Sequence, residues 1–378
     1  MSKNIICLVY LLIIGLMASG SAWALQEKSS ETRIETLSKR MDSLEKTTRE
    51  GIFPEKWADN ISISGLLEVE AGYGKFDPDM SGKPSKDSSD IALSTFELGL
   101  DVGFNDHVRG HVLILWEEDD TEPIDLDEGF ISITGTDDLP LYLHAGKLYV
   151  PFGNYESFFI SDPFTLEIGE TRESAVFAGF HEDIVDISIG CFNGDVNETG
   201  KDDHIDSYFS SATVSMTDDH TGFELAAGIS YISNIADSDA LSEANDIDEE
   251  GGPDGLDDYV DGISAYMSAS FKDSLFCVAE YVGAMDDFHA GELSFADKKL
   301  QPKAWNVEVA YVFPSEVGFA VKYEGTDDCR DFLPENGYGG IVFCHPFEKT
   351  YLGLEYMYQT FENDDINQIV TAQLAFEF

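Results

Sequence analysis

Carboxylates are the residues whose number and spacing suggest chemistry in this chain. Of 378 residues, 73 are Asp or Glu and 22 are Lys or Arg, a formal net charge of −51. Many acids stand at every second position, with apolar residues between them. Glu68, Glu70, Glu97, Asp101, Glu117, Glu224, Glu280, Glu308, Glu324 and Glu355, with Arg109, His111 and Lys322, form the off-face set. Rings of carboxylates around a wet passage favour cations and oppose anions. Taken singly, each such residue need only keep a wall wet and pair with one of the few bases. The most acidic segment lies near Asp237 to Asp261, with eleven carboxylates and no Lys, Arg or His. Inside it, Asp246, Asp248, Glu250, Asp254 and Asp257 fall at positions 1, 3, 5, 9 and 12 of a calcium-type loop, with Gly251 at position 6. Glu250 and Asp257 depart from the usual ligands at positions 5 and 12, so the segment reads either as a calcium site or as a solvated acidic loop. No H-E-x-x-H or G-x-S-x-G pattern occurs, and no enzyme is expected. Phosphate neutralisation needs Lys and Arg, so nucleic acid is excluded as a partner.

The elements that must position these acids are strands. From Ile61 onward, apolar residues recur with period two: Phe96, Leu98, Leu100, Val102 and Phe104 alternate with Glu97, Gly99, Asp101 and Gly103, and Val317, Phe319, Val321 and Tyr323 alternate with Lys322 and Glu324. Leu113 and Leu115 blur the alternation around Val112, Ile114 and Trp116. Connections alternate short and long. Asn105–Asp106, Asp218–Thr221 and Pro314–Glu316 are short, whereas Asp77–Ser89, Val150–Glu173, Ser233–Asp258 and Met285–Pro302 are long. Short periplasmic turns and long external loops are the rhythm of an outer-membrane barrel, and about 16 strands are expected. A soluble sandwich has no reason to keep that rhythm.

One long connection stands apart. The strand Leu141–Tyr149 breaks at Pro151-Phe152-Gly153, passes Tyr155, Phe158, Phe159 and Phe164, and resumes at Ser174–Phe180. Pro removes a ladder donor and Gly admits dihedrals that other residues avoid, so the break is dictated by the backbone. A loop of this length in a compact chain is usually functional. Tyr155, Phe158, Phe159, Asp162, Glu170, Arg172 and Glu173 are its candidate constriction or ligand residues. The run A-G-K-L-Y-V-P-F-G-N-Y (Ala145 to Tyr155), followed by S-D-P-F-T-L-E-I-G-E-T-R-E-S-A-V (Ser161 to Val176), resembles the LbtU-type siderophore porins. That resemblance implies an outer-membrane barrel taking up a ferric siderophore passively, without an energised plug.

The flanks agree with export. Residues 1–24 read as a signal peptide, with Lys3, an apolar run from Ile5 to Met17, and Ala22-Trp23-Ala24 as the cleavage site. Residues 25–56 read as a periplasmic helix, with Ile34, Leu37, Met41 and Leu44 at coiled-coil spacing. This seam suits either homo-oligomerisation or a solvated leader. Residues 57–378 are the expected barrel. The final run I-V-T-A-Q-L-A-F-E-F ends on an aromatic, resembling the signal read by the barrel assembly machinery. Cys329 and Cys344 are placed for a bridge across one loop, with free thiols as the other reading. The sequence thus predicts a passive porin for a ferric siderophore, seated among lipid and lipopolysaccharide. A general cation-preferring porin and a calcium-stabilised surface adhesin are the other readings.

Overall fold

The structure, a computed structural model, describes residues 60–79, 83–118, 124–136, 138–201, 204–245 and 255–378. The expected signal peptide and helix, and Asp246, Asp248, Glu250 and Asp254 of the acidic loop, lie outside the described residues.

Sixteen antiparallel strands close into one barrel. They are β1 (Ile61–Asp77), β2 (Lys86–Gly103), β3 (Val108–Trp116), β4 (Asp125–Thr136), β5 (Leu139–Tyr149), β6 (Arg172–Glu182), β7 (Val185–Phe192), β8 (Ser207–Asp218), β9 (Phe223–Ile232), β10 (Gly262–Phe271), β11 (Leu275–Ala284), β12 (Lys303–Val312), β13 (Val317–Asp327), β14 (Asn336–Cys344), β15 (Thr350–Thr360) and β16 (Ile366–Glu377). Each pairs with its neighbour in sequence, and β1 pairs with β16 to remove the last free edge. Beyond the ladder, Gly65 and Phe378 exchange backbone hydrogen bonds of 3.1 and 3.0 Å. Gly65 leaves room for the Phe378 ring, since a Cβ there would lie 2.2 Å from it.

The period-two pattern decides which face meets lipid. Ile131, Ile189, Val321, Val342 and Leu374 are exposed on the outer surface. A continuous apolar surface of this kind is a liability in water and a requirement in hydrocarbon. Aromatics gather where a bilayer interface would fall. Tyr311 and Phe313 stand 5.0 Å apart near the short turn joining β12 and β13, and Tyr323 and Tyr338 stand 5.2 Å apart at the other end. The blurred strand of the sequence carries a register shift between Leu113 and Ile114 against β4. The extra residue is Asp127 on β4, and β3 pairs with β2 without a break, so Leu113 and Leu115 are apolar residues at inward positions and the alternation of direction is kept.

Two expectations are corrected. Arg172 and Glu173 belong to β6, pairing with Tyr149 and Leu148, so the loop ends at Thr171. All four described cysteines, Cys191, Cys277, Cys329 and Cys344, are free. Cys329 follows β13 at the long-loop end of β14 and Cys344 closes β14 at its short-turn end. The strand between them separates them by roughly 25–30 Å, far beyond disulfide reach.

Gly146, within the G-K-L-Y run, has φ +147°, and a Cβ there would lie 2.2 Å from the Gly129 carbonyl oxygen and 2.5 Å from the Phe130 Cα. Backbone atoms cannot yield as a side chain can. Gly146→Ala is therefore expected to cost about 2 kcal/mol or more. Gly340→Ala, at a position open on all sides, should be near neutral. Heat-modifiable gel mobility after urea titration measures both.

Candidate functional site

The loop between β5 and β6 folds into the lumen and is tied there by carboxylates from the far wall. Its entry is set locally. Val150 N–H donates to the Thr171 carbonyl at 2.9 Å, holding the two ends of the loop together. Phe152 is buried, Gly153 takes φ +87°, and Tyr155 takes φ 54° with its hydroxyl donating to the Phe152 carbonyl at 2.5 Å. A Cβ on Gly153 would lie 2.3 Å from the Tyr155 ring, so the P-F-G-N-Y run encodes one compact turn.

Beyond this turn the backbone meets one acid after another. Asn154 and Tyr155 donate their N–H groups to Glu280 on β11, at 2.7 and 2.9 Å. Phe158 N–H and the Ser157 hydroxyl donate to Glu308 on β12, at 2.8 and 2.7 Å. Ile160 and Ser161 donate to Glu355 on β15, at 2.6 and 3.1 Å. Phe164 N–H, opening the short helix α1 (Phe164–Glu167), donates to Glu324 on β13 at 3.3 Å. Lys322 lies among these acids. Its Nζ is 3.5 Å from Glu308 and 3.7 Å from Glu324, donates to the Ser161 carbonyl at 3.2 Å, and sits 4.7 Å from the centre of the Phe159 ring. A Cβ on Gly339 would meet that same ring at 2.4 Å, so Gly339 makes the space for Phe159.

The candidate lumen residues thus divide. Glu308, Lys322, Glu324 and Glu355 face inward as expected, but they are buried beneath the loop and do not line open water. Glu68 and Glu97 are partly open, and Asp101, Arg109 and Glu224 are exposed. The His111 ring spans Asp101 and Glu128, at 2.8 and 3.3 Å. The open passage runs along β1 to β3, where the loop makes no comparable anchorage, whereas Leu148 of β5 is buried against the loop. Asp162 faces that side from the loop, within electrostatic reach of Glu70. Solvent reaches Asp162, yet enclosure by the barrel still raises its pKa, with Lys322 opposing. At the external ends of β4 to β6, Arg172 is bonded to Asp127 and lies 3.5 Å from Asp125, and Lys147 lies 3.6 Å from Asp125, whereas Arg109 on β3 is exposed.

Of the other loop candidates, Phe159 packs against Ala310, Ala320, Ile341 and Met357 and offers no face to a solute. Tyr155 and Phe158 are half-buried, and Glu173 is buried in β6. Glu170 sits at the loop's exit, where burial pushes its carboxyl up to about 8, with Asp239, Asp162 and Asp127 adding to the rise and Arg172 opposing it.

The external connections build a second small core above this flank. Ile235 and the helix α2 (Asp239–Asn245) bury Leu241 against Leu256, Val260, Phe288, Leu293 and Leu300. Asp239 joins this cap to the inner loop, donating its N–H to the Glu170 carbonyl at 2.8 Å and accepting Arg172 N–H at 3.3 Å. Asp257, the one described member of the calcium-type loop, lies in the cap with its carboxylate 3.1 Å from His289 Nδ1. Ligand atoms of Asp257, His289 and Glu292 fall within 4.8 Å of one another. Glu292 already accepts the N–H groups of Asp257 and His289, so the trio reads as a clasp between two loops. Sequence reasoning missed Asp127 and Asp239 as partners of Arg172. By alternation from Ile131 and Ile133, Asp127 falls on the outward face, and an acid among those apolar positions, at the β4 register shift, was the available signal.

Among solved structures, the outer-membrane channel DcaP of Acinetobacter baumannii superposes with a TM-score of 0.55 at 14% identity, covering 84% of this chain and 97% of that one. OmpF of Salmonella typhi, solved in complex with daunomycin, gives 0.58 at 10% identity, covering 84% and 98%. The fold is that of the outer-membrane porins. Pseudomonas putida OprB gives 0.56 at 12% identity, covering 87% and 97%. By sequence, the chain is 27% identical over 309 residues to a UPF0422 protein of Coxiella burnetii and 25% identical over 317 residues to one of Legionella pneumophila, in each case over 78% of this chain. It spans 63% and 58% of the lengths of those relatives. No family model matches.

Two outcomes follow. Hydrogen bonds to charged acceptors contribute about 1.5–3 kcal/mol each, so Glu308→Ala should free the loop around Ser157 and Phe158. Limited proteolysis is expected to cut between residues 150 and 171 in the variant while sparing the parent barrel. For Glu170, the ordinary value is 4.5 and the folded value about 8. Its contribution to stability is therefore complete below about 4.5 and is lost as pH rises through 8. Glu170→Gln should remove that slope from the pH dependence of the unfolding midpoint.

Proposed function

We propose that this protein is a passive outer-membrane channel that favours cations. The observation carrying the reading is the chemistry of the open passage. Glu68, Glu70, Glu97 and Asp101 stand on the wall and Asp162 on the loop, with Arg109 as the exposed base on the same wall, while Lys147 and Arg172 share the outward parity of Leu143 and Val176. A passage lined on both sides by carboxylates concentrates cations and repels anions. Such a channel needs no catalytic residue.

A narrower cargo, a ferric siderophore, is supported by one specific correspondence. The run that resembles the siderophore porins, Ala145 to Tyr155 and Ser161 to Val176, covers most of the intraluminal loop and the ends of β5 and β6 that flank it. In this reading the external cap captures the complex, which then passes the loop along the open flank. Calcium in the acidic external loop would stiffen that cap.

Purified protein in a planar bilayer under a KCl gradient should show open channels whose reversal potential has the sign of K⁺ over Cl⁻ selectivity. Neutralising Glu68, Glu97 and Asp162 together should move that potential toward zero. Anion preference in the parent protein would overturn the reading. For the narrower cargo, a ferric siderophore should block the current reversibly, and a deletion strain should fail only under iron limitation. Open channels indifferent to the siderophore would leave the general cation channel alone.

A further inference from the structure

We propose that the short-turn half of the lumen carries a binding subsite for organic cations with a flat apolar body, of the aryl- or alkylammonium class. The site is a cavity of about 520 Å³ between the inner loop and the ends of β8 to β11. Its volume lies within the range that small-molecule sites occupy.

Three kinds of group line it. Glu156, on the loop, and Glu224, on β9, bring carboxylates from opposite sides, and both are exposed. Phe158 and Phe276 form an aromatic wall, half-buried, with ring centres 5.4 Å apart. Ser268 and Ser270 add hydroxyls, and Ser270 donates to Glu224 at 3.2 Å, holding one carboxylate edge. Among the described residues, no Lys, Arg or His lines the cavity.

The wall chemistry separates this cavity from the rest of the lumen. Along β1 to β3 the aromatic rings near the acids are already engaged: Phe130 lies against the His111 ring that binds Asp101, and Tyr351, beside Glu68, stacks on Phe343. Under the loop, Phe159 is aromatic but is covered by Lys322 and closed to solutes. Around Glu156 and Glu224, open carboxylates share one cavity with partly open phenyl faces. An ammonium ion is attracted by both, through charge pairing and through the ring quadrupole, and its apolar body gains by leaving water. An anionic or polyhydroxylated solute gains from neither.

The construction also fixes the rings. The Phe158 N–H and the adjoining Ser157 hydroxyl are held by Glu308, and Phe158 stacks on Phe343 at 6.2 Å between centres. The aromatic wall is therefore preorganised by the loop anchorage, and binding need not order it.

The inference names a solute class for the channel proposed above and rests on that reading for its transport role; binding can be measured apart from conduction. The folded barrel in a non-ionic detergent is titrated calorimetrically with benzyltrimethylammonium, tetramethylammonium and benzyl alcohol, and the same compounds are tested as blockers in planar bilayers. Benzyltrimethylammonium is expected to bind about tenfold tighter than tetramethylammonium, equivalent to about 1.4 kcal/mol, with benzyl alcohol weaker than either. Glu224→Gln and Phe276→Leu should each lower its affinity several-fold, with heat-modifiable mobility confirming a folded barrel. Equal binding of the two ammonium ions, or binding unchanged by both substitutions, overturns the subsite whether or not the channel conducts. Selective binding without cation current would instead overturn the channel reading and leave the subsite standing.

Discussion

The structure depends on wall carboxylates accepting the backbone N–H groups of a loop that has almost no secondary structure of its own. A chain segment inside a barrel loses the ladder bonds available to strands, and its amides must find partners. Water could supply them, but water would leave the segment mobile. Glu280, Glu308, Glu355 and Glu324 supply them from fixed strands, spaced so that each acid serves successive residues of the loop. Lys322, wholly enclosed, is the one cation set among them, and it binds the loop's carbonyl as well as two of the acids. Buried charges are tolerable because they are paired and hydrogen-bonded in this way. The chain's acidity thus has an architectural use besides an electrostatic one.

That anchorage makes the barrel lopsided. The inner faces of β10 to β15 are covered, and Ser264, Glu280, Asn306, Glu308, Glu324, Glu355 and Met357 are buried there. The external cap rises over the covered flank and is joined to the inner loop through Asp239 and Arg172. Loop, wall and cap therefore form one continuous packed body, while β1 to β3 face water across the remaining space.

Much of this was legible in the sequence because side-chain direction in a strand has period two. Outward Val321 and inward Lys322 could be told apart from spacing alone, as could the even strand number from the rhythm of turns. The fate of the inward residues could not be read that way. Glu68 and Glu308 look alike in sequence, each an acid between apolar neighbours, yet one is partly open and the other fully buried. The difference lies in where a loop from another part of the chain comes to rest, and periodicity carries no record of a long-range contact. The same blindness placed Arg172 in the loop. Its neighbours Glu170 and Glu173 suggested a polar segment, whereas Asp127 and Asp239, distant in sequence, settle its position. The cysteines misled for a related reason: the fifteen-residue spacing of Cys329 and Cys344 was taken for one loop, when a whole strand lies between them.

A loop fixed to one flank converts a round bore into a slit. In a round bore, a solute is sieved by its widest cross-section and is free to spin about the axis. Between the curved strand wall on β1 to β3 and the edge of the loop at Asp162, thickness becomes the limiting dimension, and rotation about the barrel axis is restricted. Planar or elongated molecules forfeit little orientational entropy on entering such a space, whereas globular ones of equal mass are held back. Discrimination by shape would then arise from the placement of four anchoring glutamates, none of which touches the solute.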